Sequence, residues 1–376
     1  MRHHVYLVPG FFGFSSFGDF TYFAHVRDHL REWLDVRGVT AAIHYAPTYP
    51  TASLRRRAGR LVERIAETAG DEGGPIHLVG HSTGGLDVRL AVAPRVSLHS
   101  KVDPEPLARR VKTVVSVTAP HYGAPTAAFF TSLLGQRILK LLSLTTVQVI
   151  RVGSIPMPAL LALAGAIGST GALESISGGV IDQVYTQVLR DFDKERQTEI
   201  QEFFGSVTDD LSLLPQLTPE GLDLFNAMAT ERPGVRRGCV VAQARPPSLG
   251  RNLEVGFDPL QQANYGLFRA LYKLGSTLSA DLLPPLTESQ QNRLLAAYGR
   301  LPSTRANDAM VPLLSQVWGD VLHAAWADHL DVIGHFHDPA HAPVHVDWLR
   351  TKSNFARPQF EAMWDSVARF AFPEWV

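Results

Sequence analysis

Three residue types in this chain could together perform acyl transfer: a serine held in a sharp turn, a histidine to take its proton, and a carboxylate to orient the histidine. The serine is Ser82, in Gly80-His81-Ser82-Thr83-Gly84-Gly85. An apolar run, Ile76 to Val79, leads into this G-x-S-x-G pattern, and a helix-like segment follows it. Strand, tight turn and helix form the context in which the pattern presents a serine above a sheet edge. Glycine flanks the serine because the turn leaves no room for a Cβ on either side. The N-terminus of the following helix favours negative charge.

A histidine and an acid must come later, since in a fold built around such an elbow the chain order is serine, acid, histidine. Asn307-Asp308-Ala309-Met310-Val311-Pro312 and Ala327-Asp328-His329-Leu330-Asp331-Val332 supply both types. Asp308 stands in a loop just before an apolar run, as expected of a carboxylate at a strand end, and His329 follows 21 residues later in another polar loop. The chain has 15 histidines, so spacing leaves His121, His323 and His335 as competitors. His81 and His121 adjoin the serine on its own strands and loops, where a supporting place behind the site or a place in the cleft wall is expected. An early glycine-containing loop, Phe11-Phe12-Gly13-Phe14, follows the strand-like His4 to Val8. The backbone N–H of Phe11 is expected to face a reacting carbonyl there, as an oxyanion donor.

These residues need a scaffold that brings distant segments together. Helical periodicity marks 21–36 and 53–69, β-branched or apolar runs mark 40–45, 76–79, 111–117 and 238–244, a helix and a Pro-rich turn are expected over 264–286, and another helix over 288–298. Thr218 with Pro219 reads as a helix start. Strands alternating with helices predict a doubly wound, mostly parallel sheet with its site at the carboxyl ends of the strands. Arg55, Arg56, Arg57, Arg60 and Arg64 read as the solvated face of one helix. The pattern changes after Gly123: 127–144 is apolar and helical, and no charge occurs between Arg151 and Glu174. Pro156 and Pro158 weigh against a membrane span there, and a lid or cap inserted over roughly 126–215 is expected instead.

A chain of 376 residues with 45% hydrophobic residues can bury the core of one large α/β domain carrying such an insertion. Basic and acidic residues balance to a formal charge of −1, which excludes the strongly basic surface of a nucleic-acid binder. The single cysteine, Cys239, allows no internal disulfide, and its apolar surroundings argue against a nucleophile. No basic and apolar leader precedes the first strand, so the chain as written is expected in the cytoplasm unless exported by another route.

In combination these stretches resemble the bacterial true-lipase family of the Pseudomonas and Burkholderia type, within the α/β-hydrolase superfamily. Val8-Pro9-Gly10-Phe11-Phe12-Gly13-Phe14 is similar to that family's oxyanion loop, and Gly80 to Gly85 to its elbow. Thr118-Ala119-Pro120-His121-Tyr122-Gly123-Ala124 is similar to its T-P-H-x-G-S loop, and the segments at Asp308 and His329 to its N-D-G-x-V and N-H-L-D stretches. The resemblance implies a serine ester hydrolase acting on lipid-like esters. Ser82 is then nucleophile, Asp308 orienting acid and His329 base. Phe11 and Thr83 give the oxyanion N–H groups, and Phe12, His81, His121 and Tyr122 line the substrate. Pro9 departs from the family, which has His there.

The resemblance also implies a structural calcium. Asp331 matches one of its aspartates; the other has only Asp281 and Glu288 as loose counterparts. His335, His337, His341 and His345 with Asp338 match no compact zinc spacing. Two other functions fit the same residues: acyl transfer to an alcohol, and lipid binding without catalysis.

Overall fold

Alternating inward and outward residues build a three-layer α/β/α molecule. The computed structural model describes residues 1–11, 16–17, 20–132, 210–256, 259–338, 349 and 351–376, with isolated positions between 186 and 205. The strands are β1 (His3–Val8), β2 (Ser16–Phe17), β3 (Phe20–Thr21), β4 (Ala41–Tyr45), β5 (Ile76–His81), β6 (Val111–Val117), β7 (Arg236–Gln243) and β8 (Asp320–Trp326). Six of them form one sheet in the order β4-β1-β5-β6-β7-β8, with every neighbouring pair parallel. β2 and β3 form a separate antiparallel pair.

The helices used below are α1 (Val26–Val36), α2 (Leu54–Ala69), α3 (Thr83–Val92), α4 (Glu105–Ala108), α5 (Pro125–Phe130), α6 (Leu213–Gln216), α7 (Pro219–Met228), α8 (Leu249–Val255), α9 (Pro259–Gly275), α10 (Glu288–Tyr298) and α11 (Arg357–Ala371). The period of two along β1 sends Val5 and Leu7 into a core shared with α1 and α11, and Tyr6 and Val8 into one shared with α2 and α3. On β7, Cys239 and Val241 pack with Leu294 and Tyr298 of α10. Cys239 is buried, and burial pushes its thiol up to about 12. Thr218 caps α7 by accepting from the Gly221 N–H, and Pro219 follows it, as those residue types predict.

Some elements differ from their sequence expectation. α1 begins at Val26, because His25 takes a left-handed conformation (φ 61°) that a continuous helix from residue 21 could not contain. The apolar residues after Asp308 include a 3-10 turn, Leu313–Gln316. β8 and α11 carry no expectation from the sequence. The Arg57 side chain is fully buried, in contrast to its exposed neighbours Arg55 and Arg56. Of the cap expected over 126–215, the greater part lies outside the described residues. No helix among the described residues is long and apolar enough to cross a membrane.

Two histidine pairs occupy the end of the sheet remote from Ser82. His3 Nδ1 lies 3.0 Å from His77 Nε2, and His77 Nδ1 lies 2.8 Å from the Thr113 hydroxyl. On the other face His4 Nδ1 lies 3.2 Å from His44 Nε2, with the Tyr6 ring stacked on His44. Burial lowers His77 to about 3 and His44 to about 4, and the partner histidine of each pair adds to the effect. Below the unfolded value of about 6.5, an unfolded chain takes up protons that these folded histidines refuse. Stability is therefore expected to fall as pH drops from about 6.5 toward about 4. Melting temperatures across that range should decline less steeply in His44→Gln and His77→Gln, and an unchanged slope in both would contradict the linkage.

Candidate active site

The turn after β5 forces Ser82 into an unusual conformation, φ 55° and ψ −128°, at the N-terminus of α3. A non-glycine residue held there stores on the order of 1–3 kcal/mol, which the surrounding packing must offset. Both flanking glycines are required by contact. A Cβ on Gly80 would stand 2.1 Å from the Gly84 carbonyl oxygen, and one on Gly84 would stand 2.3 Å from that of Val8. The Ser82 N–H donates to the Val117 carbonyl at 2.8 Å, which ties the turn to β6. Ser82 itself is 8% exposed.

Asp308 and His329 meet as a tightly bonded pair. His329 Nδ1 donates to Asp308 Oδ2 at 2.7 Å, and Gln316 Nε2 donates to the same oxygen at 3.2 Å. The backbone N–H groups of Met310 and Val311 donate to Asp308 Oδ1 at 2.9 and 2.7 Å. The buried carboxylate thus has four donors, and the His329 N–H also reaches the Asp308 carbonyl at 3.0 Å. This fixes a tautomer in which His329 Nε2 is left as the acceptor. The competitors His121, His323 and His335 sit elsewhere. His323 lies on β8 beside Ser366, and His335 Nε2 donates to the Tyr22 carbonyl.

Two aspartates close the turn that carries His329. Asp328 Oδ1 accepts from the Leu330 and Asp331 N–H groups at 2.9 Å each, and Asp331 Oδ2 accepts from the Asp328 N–H at 2.9 Å. Asp328 Oδ2 is buried without a partner. Burial pushes the Asp328 carboxyl up to about 7 against the pull of those amides. Asp331 therefore serves the turn. Calcium wants six or more oxygens, and this turn offers two carboxylates. Asp281 and Glu288 are exposed, and among the described residues no group of three or more His, Cys, Asp or Glu could hold a metal. His341 and His345 lie outside the described residues.

Arg57 supplies the contact that sequence reading misses. Its Nε and Nη2 donate to both oxygens of Asp87 at 2.7–3.1 Å, with both side chains at 0% exposure. Nη2 also reaches the Pro9 and Gly10 carbonyls at 3.2 and 2.9 Å and the Thr83 hydroxyl at 3.2 Å. Nη1 donates to the Tyr49 and Pro50 carbonyls. In a planar trans peptide the C=O and N–H point opposite ways, so holding the Gly10 carbonyl turns the Phe11 N–H away from Arg57. Burial raises Asp87 to about 6 while Arg57 pulls it down. The spacing of Arg57 from Asp87 in sequence carries no local signal. Its place roughly opposite Arg55 around α2 is one hint.

A second ladder joins the first loop to the last. The Gly10 N–H donates to the Tyr22 hydroxyl at 2.9 Å, that hydroxyl donates to His81 Nδ1 at 2.7 Å, and His81 Nε2 donates to the His329 carbonyl at 2.9 Å. His81 is fully buried, and burial holds it neutral, far below its ordinary value.

Phe11, Tyr22, Ser82, Thr83 and His329 open onto one cavity of roughly 80 Å³, whose other walls include Phe130, Leu214, Leu217, Met310 and Leu330. Of the residues expected to line a substrate, His81 supports the His329 turn from behind and is absent from these walls. His121 is buried, with Nε2 donating to Ser116 Oγ at 2.9 Å and Nδ1 facing Arg89. Tyr122 is half-buried beside it and also lies off the cavity. Both side chains are spent on packing the loop after β6. Phe12 lies outside the described residues. Pro120 and Ala124 from the same loop, with Thr126 and Ala127 from the start of α5, line the cavity in their stead.

Removing one partner of a buried ion pair strands a charge, which typically costs about 3–5 kcal/mol. Arg57→Met is expected to lose that much in denaturant unfolding, and Arg57→Met/Asp87→Leu to recover most of it. Equal losses in the single and double variants would contradict a compensated pair.

No family model matches the chain, and no curated protein is similar to it in sequence. Solved structures are. A metagenomic carboxyl esterase matches with a TM-score of 0.53 at 17% identity, over 99% of this chain and 76% of its own. The lipase of Staphylococcus hyicus matches with a TM-score of 0.54 at 15% identity, over 99% of this chain and 95% of its own. At such identity the likeness speaks for architecture. With its parallel six-stranded sheet and the sharp turn at Ser82, the chain has the α/β-hydrolase fold.

Proposed function

We propose that this protein is a serine carboxylic-ester hydrolase acting on lipid-like esters, with Ser82, Asp308 and His329 as its triad. The observation that carries the reading is the fully bonded Asp308–His329 pair opening onto the same apolar cavity as the strained Ser82. His329 Nε2 takes the Ser82 Oγ proton as Oγ attacks the ester carbonyl carbon. Asp308 keeps Nδ1 protonated and stabilises the imidazolium that forms. The oxyanion meets the backbone N–H groups of Phe11 and Thr83. Thr83 is the first residue of α3, where an N–H has no partner within the helix. The imidazolium then protonates the departing alcohol, and water activated by His329 releases the acid from Ser82.

Substrate class follows from the walls. Phe11, Phe130, Leu214, Leu217 and Leu330 offer an acyl chain apolar contact, and no Asp, Glu, Lys or Arg of the described residues lines the cavity. The Leu217 to Asn226 stretch and the loop at His121 add to the resemblance to the Pseudomonas and Burkholderia true lipases, which supports the lipid-like side of the reading. The wall residues Thr126 and Met310 are joined by a hydrogen bond at 2.9 Å, which links the loop after β6 to the Asp308 turn.

Ser82→Ala is expected to abolish turnover of p-nitrophenyl esters while leaving the melting transition in place; retained turnover would refute the nucleophile. Asp308→Asn should preserve folding and lower kcat by about 10⁴-fold, because the amide favours the wrong histidine tautomer. A series of acyl lengths, with and without EDTA, reads pocket depth and any calcium requirement together.

A further inference from the structure

Gln316 ends the 3-10 turn that follows Asp308, and it is fully buried. Its Oε1 accepts from the Ala242 N–H at 2.8 Å, and its Nε2 donates to the Ala242 carbonyl at 3.1 Å. Nε2 also donates to the Val311 carbonyl at 3.0 Å and to Asp308 Oδ2 at 3.2 Å. The chemistry of these partners fixes which way the amide faces. Flipped, its oxygen would meet two carbonyls and a carboxylate, and its nitrogen would meet an N–H.

The place it takes on Ala242 is one that a strand would ordinarily fill. The Thr118 N–H donates to the Val240 carbonyl, so Val240 turns its backbone groups toward β6. Alternation along β7 turns those of Ala242 the same way. By then β6 has ended: its last residue is Val117, and Thr118 leaves the strand with φ 48°. The Gln316 amide bonds both groups of Ala242 as a further residue of β6 would. Two residues on, the Ala244 N–H donates to the Asn307 carbonyl at 2.9 Å, so the Asp308 turn is laid along the end of β7. Ser315 ties the same turn to the loop after β6, its hydroxyl donating to the Gly123 carbonyl at 2.7 Å.

We propose that Gln316 is a positioning residue for the ester hydrolysis inferred above: its amide ties Asp308 Oδ2 to the central sheet and sets how strongly that oxygen holds His329. The inference rests on the reading of Ser82, Asp308 and His329 as a triad. The two N–H groups of Gln316 serve three acceptors. The one on the Oε1 side pairs with Ala242, so the other is shared between Val311 and Asp308. Oδ2 also takes the His329 Nδ1–H at 2.7 Å, whereas the backbone amides of Met310 and Val311 hold Oδ1. Gln316 therefore competes with His329 for one oxygen and fixes where that oxygen stands. It does not line the Ser82 cavity, so its effect falls on kcat and leaves substrate binding alone.

Gln316→Met keeps the length of the side chain and removes its donors. For p-nitrophenyl esters kcat should fall roughly tenfold, the effect of one lost hydrogen bond to a charged group, with KM within about twofold of its original value. In an Asp308→Asn background the same change should cost less than about twofold, because the carboxylate it acts through is gone. A role in folding alone would lower the melting temperature and cost the same in both backgrounds. The far-downfield proton resonance of the His329 Nδ1–H gives a reading that needs no turnover. It should move further downfield in Gln316→Met, since Oδ2 then serves His329 alone of the two side chains. If the methionine variant does not fold, Gln316→Glu keeps the shape and an acceptor for the Ala242 N–H, and its kcat loss should likewise be confined to the background that holds Asp308. Equal losses in the two backgrounds, or an unmoved resonance, would overturn the role. Retained turnover in Ser82→Ala would remove the triad instead, and the resonance would still test the bond to Asp308.

Discussion

The buried ion pair of Arg57 and Asp87 is the constraint on which the rest of the structure depends. Desolvating two charges is expensive, and such a pair seldom adds net stability over well-packed apolar residues. Its value here lies in what else Arg57 holds. One planar group bonds α2 to α3, takes the carbonyls of Pro9 and Gly10, and reaches the hydroxyl of Thr83. An apolar replacement could fill the volume, but it could not orient two peptide groups. The pair is therefore read as a device for position, set between the two backbone amides proposed to share one oxyanion.

The other half of the candidate site is positioned by backbone and carboxylate contacts. Asp308 draws its donors from Met310, Val311, Gln316 and His329, so its orientation is over-determined. The Asp328–Asp331 turn fixes the backbone of His329, and Trp364 on α11 donates to the Val332 carbonyl just beyond it. The Tyr22–His81 ladder then ties this turn to Gly10. Most of the lining between these loops is aliphatic or aromatic, with Phe11, Phe130, Leu214, Leu217 and Leu330 among its walls. A dry wall strengthens the electrostatic interactions inside it.

Legibility in the sequence followed the range of the interactions. The elbow could be read because its cause is local: Gly80 and Gly84 answer clashes with atoms a few residues away or on the adjoining strand. The parallel sheet could be read from alternating elements. Asp308 and His329 emerged only from chain order and resemblance, since their meeting is a tertiary event. Arg57 was misread because an arginine run looks solvated until Asp87, 30 residues away, is placed beneath it. His121 and Tyr122 neighbour the site in sequence, yet their side chains turn to Ser116, Arg89 and Trp318. β8 escaped notice because His323 and two alanines interrupt its apolar pattern at the sheet edge.

The strand order has a consequence for how the molecule comes into being. β1 lies inside the sheet, flanked by β4 and β5, and β7 and β8 add outward from β6 as the chain proceeds. Ser82 and the Arg57 clamp can thus be assembled from roughly the first quarter of the chain. Asp308 and His329 arrive only with the last strand. During synthesis, where domains form from the N-terminus at about 5–20 residues per second, the serine turn can exist for some time before its proposed base arrives. The residues proposed to act together are thus brought into one place only by the final edge of the sheet.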